Sequence, residues 1–426
     1  MTEQSAKQTQ NQYAVPFAIM VFLFFLVGFL TVVNQQFQAP LKEVFDLSNT
    51  QSTLLTFTFF AAYPIMGIPA GKLVEKLGYK GTLLVSLVIV TISFALFYTA
   101  AEFTSFTIFL IGSFVLGAGM TVLQTVVNPY IIACGPEETA SFRMNLGGGM
   151  NSLGTVLGPL FVSQVVFGGT GDIQVSDVKI PYLVLIATVI ILTLILKTVN
   201  LPHIPGTTKE EGSEGSATQY PHLILGVVGI FCYVGAEVAV GANINLFLEQ
   251  DFGYAKSVAA SFASLYWLGL MIGRLSAAGL LKNIGAKGQL TGAATGALAL
   301  IVGTVILSYY PDLSFNLDLE IGLLGISIHQ AISVSCITLI LMGLFHSVMW
   351  PCIFTLAVKD LGPHTSQGSG LLMLGVAGGA VIPFVQGILA DVLGDWQLTW
   401  GLVIACELFI LFYALKGSQV ILPKKK

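Results

Sequence analysis

A chain of 426 residues that is 55% hydrophobic and 9% charged, with a mean hydropathy of +0.84, is too apolar for a soluble domain, in which about a quarter of residues are charged. A formal charge of −4 names no partner, because the acids Asp172, Asp177, Asp251, Asp312, Asp318 and Glu320 gather in a few loops. The composition is that of a polytopic membrane protein rather than a soluble enzyme or a nucleic-acid-binding domain.

Twelve apolar runs each supply the roughly 20 residues that a helix needs to cross the hydrocarbon core. In chain order they are 14–44, 52–74, 80–101, 104–133, 142–168, 180–200, 222–248, 257–281, 288–309, 331–357, 366–391 and 397–420. The first run is too long for a signal-peptide core and lacks an A-x-A cleavage site, so it reads as a span. It carries Asn34, Gln35 and Gln36. The second is followed by the basic turn GKLVEKLGYKG (71–81), and the eighth by the similar GLLKNIGAKG (279–288). The fourth carries Gln124 and Asn128, four apart on one helix face, and the fifth carries Asn151 on a stripe with Gly147, Gly154 and Gly158. After the sixth, PHIPGTTKEEGSEGSATQYPH (202–222) has the Gly, Ser, Thr and Glu content of a flexible linker and divides the chain almost in half.

The expected organisation is therefore all-α: a six-helix half over residues 1–200, a linker over 201–221 and a second six-helix half over 222–426. Two repeated halves are the architecture of a rocking transporter with its site near the bilayer midplane. Fifteen of the 18 Lys and Arg residues fall on the side shared by both termini, which the positive-inside rule makes cytoplasmic. Cys134, Cys232, Cys336, Cys352 and Cys406 lie in or beside apolar runs without C-x-x-C spacing and read as packing residues. No metal and no cofactor is expected.

An ionised side chain at the bilayer centre costs about 2.5–3.5 kcal/mol on insertion scales, so the polar residues inside spans mark the candidate site. Glu237 lies near the centre of the seventh span, with Tyr233, Gly241 and, more loosely, Asn245 on its face. His346 in the tenth span is a proton-exchange candidate or a neutral hydrogen-bonding group, and Trp350 follows it by four residues. Glu407 in the last span reads as a structural partner. For each amide, bonding between helices is the alternative to ligand binding. Together with Tyr233, Tyr266 and Trp267, however, the amides offer what a neutral polyhydroxylated ligand needs, namely many donors and acceptors and rings for its C–H faces. No Arg or Lys is read as buried mid-span, which argues against an anionic substrate.

The basic turn resembles the G-x-x-x-D-x-x-G-[RK]-[RK] motif of the major facilitator superfamily, with Glu75 in place of Asp and Tyr79 in place of the first base. The resemblance implies a cytoplasmic gate at Gly71, Glu75, Lys76, Gly78 and Lys80; a solvated basic turn is the alternative. Over nearly the whole chain, LQTVVNPY (123–130), FRMNLGGGMNSLGTVLGP (142–159), CYVGAEVAVG (232–241), GR (273–274) and WPCIFTLAVKDLG (350–362) resemble the fucose:proton symporter family of that superfamily, especially its glucose/galactose branch. The resemblance implies symport of a neutral hexose such as glucose, galactose, mannose or fucose. It makes Asn151 a sugar contact, and Asn34 and Asn128 match the common pattern. The proton-coupled fucose members carry acids where this chain has Gln35 and Gln124, which leaves Glu237 as the expected coupling carboxylate, with a proton preferred over sodium. A uniporter or a drug:proton antiporter is the alternative, the latter because GTVLGP (154–159) partly resembles an antiporter motif. No intramembrane-enzyme motif is found. The expected setting is the inner membrane of a bacterium, as a monomer in lipid.

Overall fold

The computed structural model describes residues 3–37, 41, 45–46, 49–161, 179–202, 215–322 and 326–421. The helices are α1 (Glu3–Gln36), α2 (Asn49–Glu102), α3 (Phe106–Ala133), α4 (Ala140–Leu160), α5 (Lys179–Thr198), α6 (Pro221–Gln250), α7 (Lys256–Leu280), α8 (Ala286–Ser308), α9 (Val334–His346), α10 (Met349–Ala357), α11 (Thr365–Leu374), α12 (Gly378–Leu393) and α13 (Gly401–Phe412). Among the described residues, nine helices are long and apolar enough to cross a membrane. One of them is α2, whose 54 residues carry the expected second and third spans through a bend at Gly78, where φ is 67°. Only glycine adopts that conformation without a Cβ penalty.

The chain clusters into two compact units, residues 1–219 with 360–374 and residues 220–359 with 375–426. In the first unit α1 lies along α4, and glycines set their separation. A methyl group at Gly28 would overlap the Asn151 carbonyl, and one at Gly154 would overlap the Phe25 carbonyl. Without a hydrophobic drive between helices in lipid, such close backbone approach supplies the packing. The segment that carries α11 packs on α2 by the same means, Gly67 against the Gly370 carbonyl and Gly71 against Ser366 and Gln367. The end of the linker joins it, with the Ala217 N–H donating to Gln367 Oε1 at 2.6 Å.

Two basic side chains finish helices in this unit. Lys80 Nζ donates to the carbonyls of Lys197 (2.9 Å) and Val199 (2.7 Å) at the end of α5. The buried Arg143 guanidinium donates to the carbonyls of Ile131 and Ile132 in the last turn of α3, to those of Gly135 and Pro136 beyond it, and to Thr139 Oγ1. Helix C-termini leave carbonyls without partners and carry partial negative charge, so a cation there satisfies both. Cys134, which follows α3, is a free thiol; burial pushes it up to about 12 despite the pull of Arg143.

The second unit corrects the all-α expectation, for the fold is mostly helical but carries a hairpin. Strand β1 (Ser314–Ile321) pairs antiparallel with β2 (Ile326–Ser333), Ser314 opposite Ser333 and Ile321 opposite Ile326. Phe315, Leu317, Leu319 and Ile321 alternate with Asn316, Asp318 and Glu320, which is the period of a half-buried strand. Ile326, Ile328 and Ile332 are buried, and Ser261 of α7 bonds both the N–H and the carbonyl of Ser327. The expected tenth span therefore begins at Val334 rather than 331, and it breaks at Ser347 and Val348. Pro351 explains the break: it has no N–H to give to the carbonyl four residues earlier, that of Ser347.

Candidate functional site

The freed Ser347 carbonyl positions the first element of the site. Gly273 lets α7 approach closely, since a side chain there would meet Ser347, and the next residue, Arg274, donates from Nε to the Ser347 carbonyl at 3.2 Å. The other end of the guanidinium reaches α6. Arg274 Nη2 donates to Glu237 Oε1 at 3.1 Å and to the Tyr233 hydroxyl at 3.2 Å, and that hydroxyl donates to the same carboxylate oxygen at 2.7 Å. The two charged side chains are 10% and 13% exposed. This corrects the reading that no base is buried mid-span. Arg274 was counted among loop charges because it lies close to the end of its apolar run, yet it is the partner of Glu237.

A second chain of bonds runs through the same unit. The Tyr266 hydroxyl donates to the backbone carbonyl of Glu237 (3.3 Å) and lies 2.7 Å from His346 Nδ1. His346 Nε2 lies 2.9 Å from Glu407 Oε1, both side chains being wholly buried. Tyr266 is fully buried as well. Trp267 occupies the space that a side chain at Gly241 would need. Trp350 is half-buried and tilted against Tyr233, with ring centroids 6.5 Å apart. Tyr233, Glu237, Tyr266, Trp267, His346 and Trp350 thus form one neighbourhood, joined by Arg274.

In the first unit the amides differ in what they bond. Asn34 donates to Ser113 Oγ (3.1 Å), which donates to the Leu55 carbonyl, so this side chain ties helices together. Asn151 donates to the Phe24 carbonyl of α1 at 3.0 Å. Half-buried Gln124 donates to the Tyr63 hydroxyl at 2.7 Å, a partner that sequence reasoning did not name. Asn128 is 1% exposed, and neither atom of its amide has a hydrogen-bond partner among the described residues. A buried amide without partners costs about 1–3 kcal/mol, so Asn128 has binding capacity to spare. The side chains of Gln35 and Asn245, and linker residues 203–214, lie outside the described residues. Of the basic turn, Gly71 faces α11, Gly78 makes the bend, Lys80 finishes α5, Glu75 is half-buried and Lys76 is exposed.

Known proteins place this geometry in context. The Major Facilitator Superfamily profile matches residues 17–319. The chain is 37% identical over 422 residues to a glucose/galactose transporter of Brucella abortus, covering 96% of each chain. It is 28% identical to the L-fucose-proton symporter of Escherichia coli, covering 98% of this chain and 96% of that one. Its fold matches the crystal structure of FucP, a Major Facilitator Superfamily transporter in the outward conformation, with a TM-score of 0.81 and 26% identity over 96% of this chain and all of the other.

Proposed function

We propose a transport reaction for this chain, which belongs to the Major Facilitator Superfamily. It carries a neutral hexose such as glucose, galactose, mannose or fucose across the membrane with a proton, by alternating access. The names of its relatives, glucose/galactose transporter and L-fucose-proton symporter, support the substrate class and the coupling ion. The observation that carries the reading is the Glu237–Arg274 pair. The guanidinium already has its counter-charge, so the cluster offers no spare cation to a phosphate or carboxylate, while the half-buried Trp267 and Trp350 offer ring faces. In the first unit Gln124, Asn128 and Asn151 offer amides to sugar hydroxyls.

Glu237 is the coupling group. Ionised, it holds Arg274 and Tyr233; protonated, it loses the charge that holds the guanidinium. Proton uptake thereby changes which groups Arg274 can bond, a change that a sugar carrier can use to distinguish loaded from empty. Twelve crossings follow if α2 crosses twice and if α9 with α10, and α11 with α12, cross once each. Residues 1–200 and 222–426 are then the two halves and 201–221 their linker. Both termini are cytoplasmic; Arg143 and Arg274 are buried rather than loop charges, but removing them leaves the imbalance of basic residues intact. The turn holding Gly71, Glu75, Lys76, Gly78 and Lys80 is the cytoplasmic gate, a reading supported by the seating of Gly67 and Gly71 on α11. The setting is the inner membrane, and the working unit is a monomer.

Thermal-shift measurements with glucose, galactose, mannose, fucose and glucose 6-phosphate test the substrate class. Stabilisation by at least one free hexose and not by the phosphate ester is expected; stabilisation by the ester alone would overturn the reading. In proteoliposomes, Glu237→Gln should lose uphill accumulation yet retain exchange at equal concentrations. Full accumulation by the folded variant would remove Glu237 from the coupling role.

A further inference from the structure

The buried chain from Glu407 through His346 and Tyr266 to the Glu237 peptide permits its protons to be counted. A backbone carbonyl only accepts, so in the arrangement where Tyr266 bonds the Glu237 carbonyl at 3.3 Å its single hydroxyl proton is used there. The Tyr266 oxygen must then accept from His346 at 2.7 Å, which places a proton on Nδ1. Between His346 Nε2 and Glu407 Oε1, 2.9 Å apart, one further proton is required, whether it sits on the ring or on the carboxyl. Without it, a bare ring nitrogen would face a carboxylate in a site with no exposure. The other carboxyl oxygen, Oε2 of Glu407, has no hydrogen-bond partner among the described residues, so nothing else there disperses a negative charge.

We infer that His346 and Glu407 form a second proton-binding site, whose occupancy is read by Tyr266. With the proton present the pair is neutral and Tyr266 tethers the Glu237 peptide, joining α7 to α6. When the proton leaves, the remaining imidazole proton must sit on Nε2 to bond the Glu407 carboxylate. Nδ1 then becomes an acceptor, and the Tyr266 hydroxyl turns to it and releases the Glu237 carbonyl. The proton departs to water or to a neighbouring base, leaving the pair with one negative charge. One bond between helices is exchanged for another, next to the carboxylate proposed to couple transport.

Among the described residues, the ionisable groups beside this pair are Cys232 and Tyr233 from α6, Tyr266 from α7 and Cys406 from α13, with Glu237 and Arg274 beside Tyr266. Helix α8, which also packs on α9 and α13, has no ionisable side chain between Lys287 and Tyr309. Arg274 is held by Glu237, so the pair itself is the place where a proton resolves the charge.

Infrared difference spectroscopy of the full-length protein in proteoliposomes, titrated across the pH range in which the vesicles stay intact, tests the site without any sugar. Wild type should show a coupled imidazole and carboxyl step that is absent from both Glu407→Gln and His346→Gln, while the bands of the other histidines, such as exposed His329 beside Asp318, are common to all three. Glu407→Gln preserves the packing, because the amide donates to Nε2 and Nδ1–H still donates to Tyr266, but it has no proton to lose. No such coupled step in wild type, or one that survives in Glu407→Gln, would overturn the inference. The second measurement rests on the transport reading and uses the four tritiated hexoses together. Glu407→Gln should keep exchange and lose the pH dependence of uptake, and Tyr266→Phe should lose that pH dependence while retaining the infrared step. A wild-type pH profile in both folded variants would reduce the pair to a packing device. Absence of proton-driven uptake in wild type would instead count against symport, leaving the infrared result to stand by itself.

Discussion

Removing one member of a buried ion pair strands the other, at a cost of up to about 3–5 kcal/mol, whereas removing both is often neutral. Glu237→Gln should therefore lower thermal stability through the stranded Arg274, and Glu237→Gln combined with Arg274→Gln should recover most of it. A double-mutant cycle of unfolding temperatures checks this; additive losses would mean that the two charges do not interact. Asn128 gives the opposite pattern. Its amide bonds nothing among the described residues, so Asn128→Ala should leave stability unchanged or raised while weakening hexose binding by about 1–3 kcal/mol, measured by calorimetry. Glu237 was legible because a carboxylate in the middle of an apolar run has few explanations. Arg274 was not, because a base near the end of a run also satisfies the positive-inside rule, and sequence does not reveal that Pro351, on another helix, frees the carbonyl that receives it.

Helices here are shaped by which backbone groups are withheld or brought close. Pro351→Ala would return an N–H to the Ser347 carbonyl, competing with Arg274 Nε for it and making α9 and α10 more continuous. Hydrogen exchange at residues 347–351 should slow, and accumulation of hexose should fall with the loosened Glu237–Arg274 pair. Unchanged exchange would show that the break has another origin. At Gly28 two effects oppose each other: alanine gains about 1 kcal/mol of helix propensity, and overlap with the Asn151 carbonyl costs about 1–3 kcal/mol. Gly28→Ala should therefore be net destabilising by thermal unfolding, unlike Gly292→Ala, where nothing lies within reach of an added methyl. Most helices were legible from apolar run length alone. The hairpin was missed although SFNLDLEI alternates with period two, because a segment between two long apolar runs was read by its charge and not by its periodicity.

The whole chain divides less simply than its sequence repeat suggests. Residues 360–374 cluster with the first unit although they lie beyond its span in sequence, since Gly67, Gly71 and Gly370 permit backbone contact that no local pattern announces. Superfamily membership, by contrast, was legible in several ordered motifs, and the superfamily profile matches residues 17–319. What the molecule does with its buried charges is most directly tested by hexose uptake into proteoliposomes under separately imposed proton and sodium gradients. An inward proton gradient should drive accumulation of a free hexose above the external concentration, and a sodium gradient should not. Accumulation driven by sodium alone, or equilibration without accumulation under either gradient, would contradict proton-coupled sugar transport.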